Sequence, residues 1–246
     1  MPISARAGSR AVRKISRFKA MKNKRVESAK EAVADIFDGA SVMIGGFGRG
    51  GVPEVLIDAV CDHGVKDLTV ISNNTGTRET GIARLLKAGC VKKMVCSFPL
   101  ATESNVFRDL YNAHKVDLEV VPQGSLAERI RCGGAGIGGF LTPTAVGTEL
   151  AKGKQTIALE GREYLLEVAL RADFALVRAN QVDGRGNLTY RMAARNFNPV
   201  MATAADTVIV EAIEDVPVGG LDPECVITPG IYVTRYFVSG TYKSQM

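Results

Sequence analysis

Residues 38–53 read DGASVMIGGFGRGGVP, and this stretch decides the fold. Val42, Met43 and Ile44 run into Gly45, Gly46, Phe47, Gly48, Arg49, Gly50 and Gly51, after which Pro53 and Glu54 open the helical pattern PEVLIDAVCDHG. A short buried strand that empties into glycines at a helix N-terminus is a place where backbone N–H groups can face an anion. Proline suits the first helical position, where its missing donor costs nothing. A tight strand-to-helix connection without any ligand would use the same residue types.

Two familiar ligand loops fit poorly. Gly46, Gly48 and Gly51 have the G-x-G-x-x-G spacing, but the next strand (68–71) runs into Ser72-Asn73-Asn74, with no carboxylate for a ribose. No Lys-Ser or Lys-Thr follows the glycines, which excludes a P-loop.

Outward from this stretch the pattern alternates. Helix 27–37 precedes strand 42–44, followed by helix 53–61, strand 68–71, helix 81–87, strand 91–96, a helix near 105–111, strand 118–121 and helix 126–131. Such βα units predict an α/β fold with a mostly parallel open sheet covered by helices on both faces. The glycine-dense stretch from 133 ends this run and reads as an insertion reaching about 148. Further strands are expected at 174–177, 188–190, 207–211 and 231–234. The loops after the strands should bring Gly45–Gly51, Asn73, Phe98 and Gln123 to one edge of the sheet, where ligands bind in open α/β folds.

Composition narrows the class. The chain has 246 residues, 46% of them apolar, ample for a core, and no apolar run approaches the length of a membrane span. Nine Lys and Arg lie between Arg6 and Arg25 with no acid among them; without them the formal charge of +5 becomes −4. The basic character therefore belongs to residues 1–25, read as a disordered extension ahead of a domain at 26–246, and not to a nucleic-acid surface. The same segment has the Arg- and Ser-containing, acid-poor character of a targeting peptide, and Met21 is an alternative start. Five cysteines form no C-x-x-C pair and there are two histidines, so neither a zinc site nor a disulfide framework is expected. With no secretory signal in view, the cytoplasm is the default location.

Several motifs together resemble one family. The Asp38–Pro53 signature, Ser72-Asn73-Asn74, Pro122-Gln123-Gly124 with the following SLAERIR, GGAGIGGFLTPTAVGT at 133–148, Ala194-Arg195-Asn196-Phe197-Asn198 and Thr228-Pro229-Gly230 look like those of family I coenzyme A transferases, in family order from about residue 35 to 235. Within that family the chain is similar to the A (alpha) subunit of the acetate/acetoacetate, short-chain acyl-CoA type. The 3-oxoadipate and succinyl-CoA:3-oxoacid enzymes share the quoted motifs and remain alternatives. So does a non-catalytic acyl-CoA-binding module of the same fold.

The resemblance implies half an enzyme. The family's nucleophilic glutamate sits in a Ser-Glu-Asn-Gly motif that this chain lacks; Glu103-Ser104-Asn105 is only a scrambled version. A beta subunit, in an α2β2 assembly, is expected to supply it. The implied reaction is ping-pong transfer of coenzyme A between carboxylic acids through a glutamyl-CoA thioester. Coenzyme A is then a substrate, and no permanently bound cofactor or metal is expected. Gln123 matches the family's oxyanion-hole glutamine, a donor that does not titrate; such donors are worth about 2.7–4 kcal/mol each. Gly45–Gly51, with Phe47 and Arg49, Asn73 and Asn196 are the expected CoA and substrate contacts. Glu54 and Glu128 are expected to be structural.

Overall fold

A computed structural model describes residues 24–100 and 103–240. The first run alternates as expected: α1 (Ala29–Val33), β1 (Ser41–Ile44), α2 (Glu54–His63), β2 (Leu68–Ile71), α3 (Ile82–Lys87), β3 (Val91–Cys96), α4 (Val106–Asn112), β4 (Asp117–Val120) and α5 (Gln123–Ala135). After it come β5 (Gly139–Thr142), β6 (Thr156–Leu159), β7 (Arg162–Val168), β8 (Ala172–Asp183), β9 (Leu188–Thr189), α6 (Asn198–Thr203), β10 (Ala205–Val216) and β11 (Arg235–Val238).

The main sheet has the order β11-β10-β8-β1-β2-β3-β4, all parallel, with β9 antiparallel to β8. The chain winds outward from β1 to β4, then returns to the other side of β1 and continues to β11. The reversal falls between β1 and β8, and the crevice at their C-terminal ends is where such sheets hold ligands.

Alternation along each strand splits the core in two. Val42 and Ile44 point to the face covered by α1–α4, where Leu56, Ile57, Leu85, Leu86 and Phe107 are buried. Met43 points to the other face, against Leu126 and Ile130 of α5 and Met201 of α6. Each buried side chain of this size contributes about 1.5–3 kcal/mol relative to exposure. Helix α2 buries Leu56, Ile57, Ala59 and Val60, a helical stripe. It stops at Gly64, whose left-handed φ of 78° lets its N–H reach the Val60 and Cys61 carbonyls.

Three expectations are corrected. The glycines at 133–134 do not end the helical run: α5 continues to Ala135, and a Cβ at Gly133 would lie 2.1 Å from the Leu170 carbonyl oxygen. There glycine serves close packing, not a turn. The insertion expected to reach about 148 extends further, as a separate antiparallel sheet, β5-β7-β6, that runs to Val168. Glu160 and Gly161, both at positive φ, form its hairpin turn between Leu159 and Arg162. Finally, 231–234 is not a strand. Gly230–Tyr232 is a single 3₁₀ turn with Ile231 84% exposed, and the pairing with β10 begins at Arg235.

Lys24 and Arg25, on the extension side of the expected boundary, contact the fold. Tyr236 exchanges backbone hydrogen bonds with Lys24 and Val26 beside β11, and Arg25 pairs with Asp215 at 2.8 Å. The rest of the basic segment, including Met21, lies outside the described residues.

Candidate active site

The glycine loop leaves β1 as a miniature hairpin. Phe47 and Gly50 exchange N–H···O bonds of 3.0 Å each, with Gly48 at a φ of 57° and Arg49 at the tip. The Gly45 N–H donates to the Leu176 carbonyl of β8 and the Gly46 N–H to Asn196 Oδ1 at 3.2 Å. Four of the loop's donors are therefore committed within the protein and do not face an anion.

The segment before and into α6 clamps this loop from behind. Asn196 Nδ2 donates to the Gly50 carbonyl at 2.9 Å and to Ala193 at 2.7 Å. Asn198, fully buried, donates through Nδ2 to the Gly51 carbonyl at 3.0 Å and to Ala194 at 2.8 Å. Its Oδ1 accepts from the Arg178 N–H at 2.9 Å. Gly45 has to be glycine because a Cβ there would lie 1.9 Å from Asn198 Oδ1. Asn196, expected as a substrate contact, has both ends of its amide on protein groups and holds the shape of the loop.

On the other side the loop shares a small cleft with Ser72 and Asn74, which follow β2. Ser72 Oγ donates to the Ile44 carbonyl at 2.9 Å, tying the ends of β1 and β2. Asn73 is 4% exposed, and its Oδ1 accepts from Gln123 Nε2 at 2.8 Å. Gln123 itself is exposed and is the first residue of α5, where the helix's leading N–H groups favour negative charge. Sequence placed it in a connection; it opens the helix. A Cβ at the neighbouring Gly124 would meet nothing within 4 Å, so space is open beside the amide. The Phe98 N–H donates to the Asn73 carbonyl, so Gly45–Gly51, Asn73, Phe98 and Gln123 do gather at one edge.

Behind the loop lies a cavity of about 440 Å³ lined by Arg49, Glu54, Arg84, Arg178, Arg191 and Glu211, among others. Glu211 is 1% exposed, and its Oε2 accepts from the Val55 and Leu56 N–H groups at the start of α2. Burial holds its carboxyl above the usual glutamate range, against the pull of Arg178 and those two N–H donors. Nothing in the local sequence marked this residue, because the helix it caps lies 155 or more positions earlier.

The carboxylates singled out in the sequence are held by arginines. Glu54 accepts from the Gly81 N–H and pairs with Arg84 at 2.5 Å. Glu128 pairs with Arg131 on the next turn of α5, and Glu103 pairs with Arg78. Hydrogen bonds from their arginines hold Glu103 and Glu128 below the usual range, which weakens each as a nucleophile. Cys90, Cys96 and Cys132 are buried, and burial pushes the Cys96 thiol up to about 12. Among the described residues no group of three His, Cys, Asp or Glu side chains could hold a metal ion, and no helix is long and apolar enough to cross a membrane.

A parallel sheet with its reversal at β1/β8, a clamped glycine loop there and an amide pair beside it define a doubly wound α/β protein with its candidate site at that crevice. The coenzyme A transferase profile matches residues 26–237, and the chain belongs to that family. It is an A-type (alpha) chain. It is 55% identical over 227 residues to the A (alpha) subunit of the 3-oxoadipate CoA-transferase of Pseudomonas putida, covering 92% of this chain and 98% of that one. It is 46% identical over 214 residues to the alpha subunit of the acetate CoA-transferase of Escherichia coli K12, covering 87% and 96%. The acyl-CoA transferase YdiF of E. coli O157:H7, crystallised as a thioester complex with CoA, superposes with a TM-score of 0.77 at 26% identity over 89% of this chain. That match spans 48% of the YdiF chain, about half its length.

Proposed function

We propose that this chain is the alpha subunit of a two-chain transferase that moves coenzyme A onto a short 3-oxo acid, with 3-oxoadipate favoured over acetate as the substrate. The observation that carries the reading is the Asn73–Gln123 pair: an exposed amide at a helix N-terminus, its direction fixed by a buried partner. Such an amide suits the oxyanion of a tetrahedral intermediate, because it is aimed before charge develops. Coenzyme A enters as a substrate, and no resident cofactor takes part.

The nucleophile comes from a partner. Glu54, Glu103 and Glu128 are each tied to an arginine. Phe47, Phe98 and Leu100, on loops at the same edge, are each more than half exposed. Exposed apolar side chains around a site are typical of a surface that another chain covers. The substrate preference is supported by the 55% identity to the 3-oxoadipate relative against 46% to the acetate relative. This revises the acetate preference drawn from the motifs alone.

The test is CoA transfer from succinyl-CoA or acetoacetyl-CoA to 3-oxoadipate or acetate, with the chain alone and after mixing with a candidate beta chain. Turnover only in the mixture, faster with 3-oxoadipate, is the expected result. Turnover by the chain alone would refute the partner nucleophile, and faster transfer to acetate would refute the substrate assignment.

A further inference from the structure

Ser97 follows β3 and stands under the Asn73–Gln123 pair. Its Oγ lies 2.8 Å from Asn73 Oδ1 and 3.0 Å from the Asn73 carbonyl oxygen. That carbonyl already accepts the Ser97 N–H at 3.2 Å and the Phe98 N–H at 3.0 Å, one for each lone pair. The hydroxyl hydrogen is thereby directed to Oδ1. Asn73 Oδ1 then accepts twice, from Ser97 Oγ and from Gln123 Nε2 at 2.8 Å, and Nδ2 is turned away from both. Without the hydroxyl the Asn73 amide could rotate by half a turn. Gln123 would then present Oε1 to Asn73, and its donors would lose their fixed direction.

We infer that Ser97 is a positioning residue for the transfer reaction: acting through Asn73, its hydroxyl fixes the direction of the Gln123 amide. This rests on the reading of Gln123 as the oxyanion donor, because it concerns how that donor is aimed. An exposed glutamine is otherwise free to sample several rotamers, and ordering it in the transition state costs rate.

In the reconstituted two-chain enzyme, Ser97→Ala should lower kcat about 3- to 10-fold, the range of one hydrogen bond, with KM within about twofold. Ser97→Thr, which keeps the hydroxyl, should recover most of the rate. In a Gln123→Ala background, Ser97→Ala should have no further effect, since no amide is left to aim. An equal loss in both backgrounds, or a threonine variant as slow as the alanine one, would overturn the inference. A second measurement does not depend on turnover. The side-chain amide resonances of Gln123 in the ¹⁵N-labelled full chain should move on Ser97→Ala, and unmoved resonances would overturn the link even where kcat falls. If Gln123→Ala leaves kcat unchanged, the oxyanion reading fails, while displaced Gln123 resonances would still support the Ser97–Asn73–Gln123 link.

Discussion

Replacing Gly45 with alanine would place a methyl carbon 1.9 Å from Asn198 Oδ1 and 2.6 Å from its Cγ. Neither can yield in place, because Asn198 is fully buried and holds three backbone groups: the Arg178 N–H and the Gly51 and Ala194 carbonyls. Pushing the amide aside leaves some or all of these unsatisfied, at about 1–3 kcal/mol each where water cannot replace the bond. With partial relaxation we expect Gly45→Ala to lose about 2–5 kcal/mol, a large share of the roughly 5–15 kcal/mol that holds a domain folded. For a chain of this length that corresponds to a Tm lower by about 5–15 °C. Calorimetry and urea unfolding of the alanine variant measure it. The cause is isolated by a cycle with Asn198→Ala, which alone should cost a similar amount. Once the amide is gone the methyl has room, so adding Gly45→Ala should cost less than about 0.5 kcal/mol more. A Tm within about 2 °C of wild type for Gly45→Ala, or additive costs in the double variant, would refute the clamp.

Three other outcomes are expected. Gln123→Ala in the reconstituted enzyme should lower kcat by about 10²-fold or more, measured as CoA transfer at saturating substrates; an unchanged kcat would remove the oxyanion role. Burial raises the Glu211 carboxyl above the ordinary glutamate value of 4.5, so from that pH up to its folded pKa the folded state keeps the proton and stability falls as pH rises. Glu211→Gln should abolish that slope, gaining on wild type in urea unfolding as pH rises through the window; a wild type that gains on the variant would contradict this sign. Glu167 is 2% exposed and pairs with Lys154 at 2.5 Å, so Glu167→Gln should destabilise toward the low end of about 3–5 kcal/mol, because Lys154 keeps 24% exposure. A change below about 0.5 kcal/mol in denaturant unfolding would show that the pair contributes little.

Much of the fold was legible locally. Strands 68–71 and 91–96 stand where the apolar runs put them, and α2 follows its helical stripe to the stop at Gly64. What failed had identifiable causes. The stripe Ile231–Val233 looks like a strand by composition, yet the adjoining Pro229-Gly230 turn leaves Ile231 in solvent. The β6–β7 hairpin carries the signal Glu160-Gly161 between two alternating runs, but the reading stopped at the glycine-rich insertion upstream of it. At the site, the loop, Asn73 and Gln123 were placed at one edge by the βα alternation. The different work of Asn196 and Asn198 was not visible, because an amide's role depends on which backbone groups lie within about 3 Å of it.

The sequence alone thus determined the parallel α/β winding, the sheet edge where the glycine loop, Asn73 and Gln123 gather, and the family, because periodicity, glycine turns and motif order are local and repeat along the chain. The tertiary structure alone decided what each polar side chain does. Gln123 meets Asn73 across 50 positions, Asn196 reaches the Gly46 N–H across 150, and Glu211 caps α2 from 156 residues away. Those bonds form where the chain folds back on itself, and a hydrogen bond is set by distance and angle in space, which neighbouring residues in sequence do not specify.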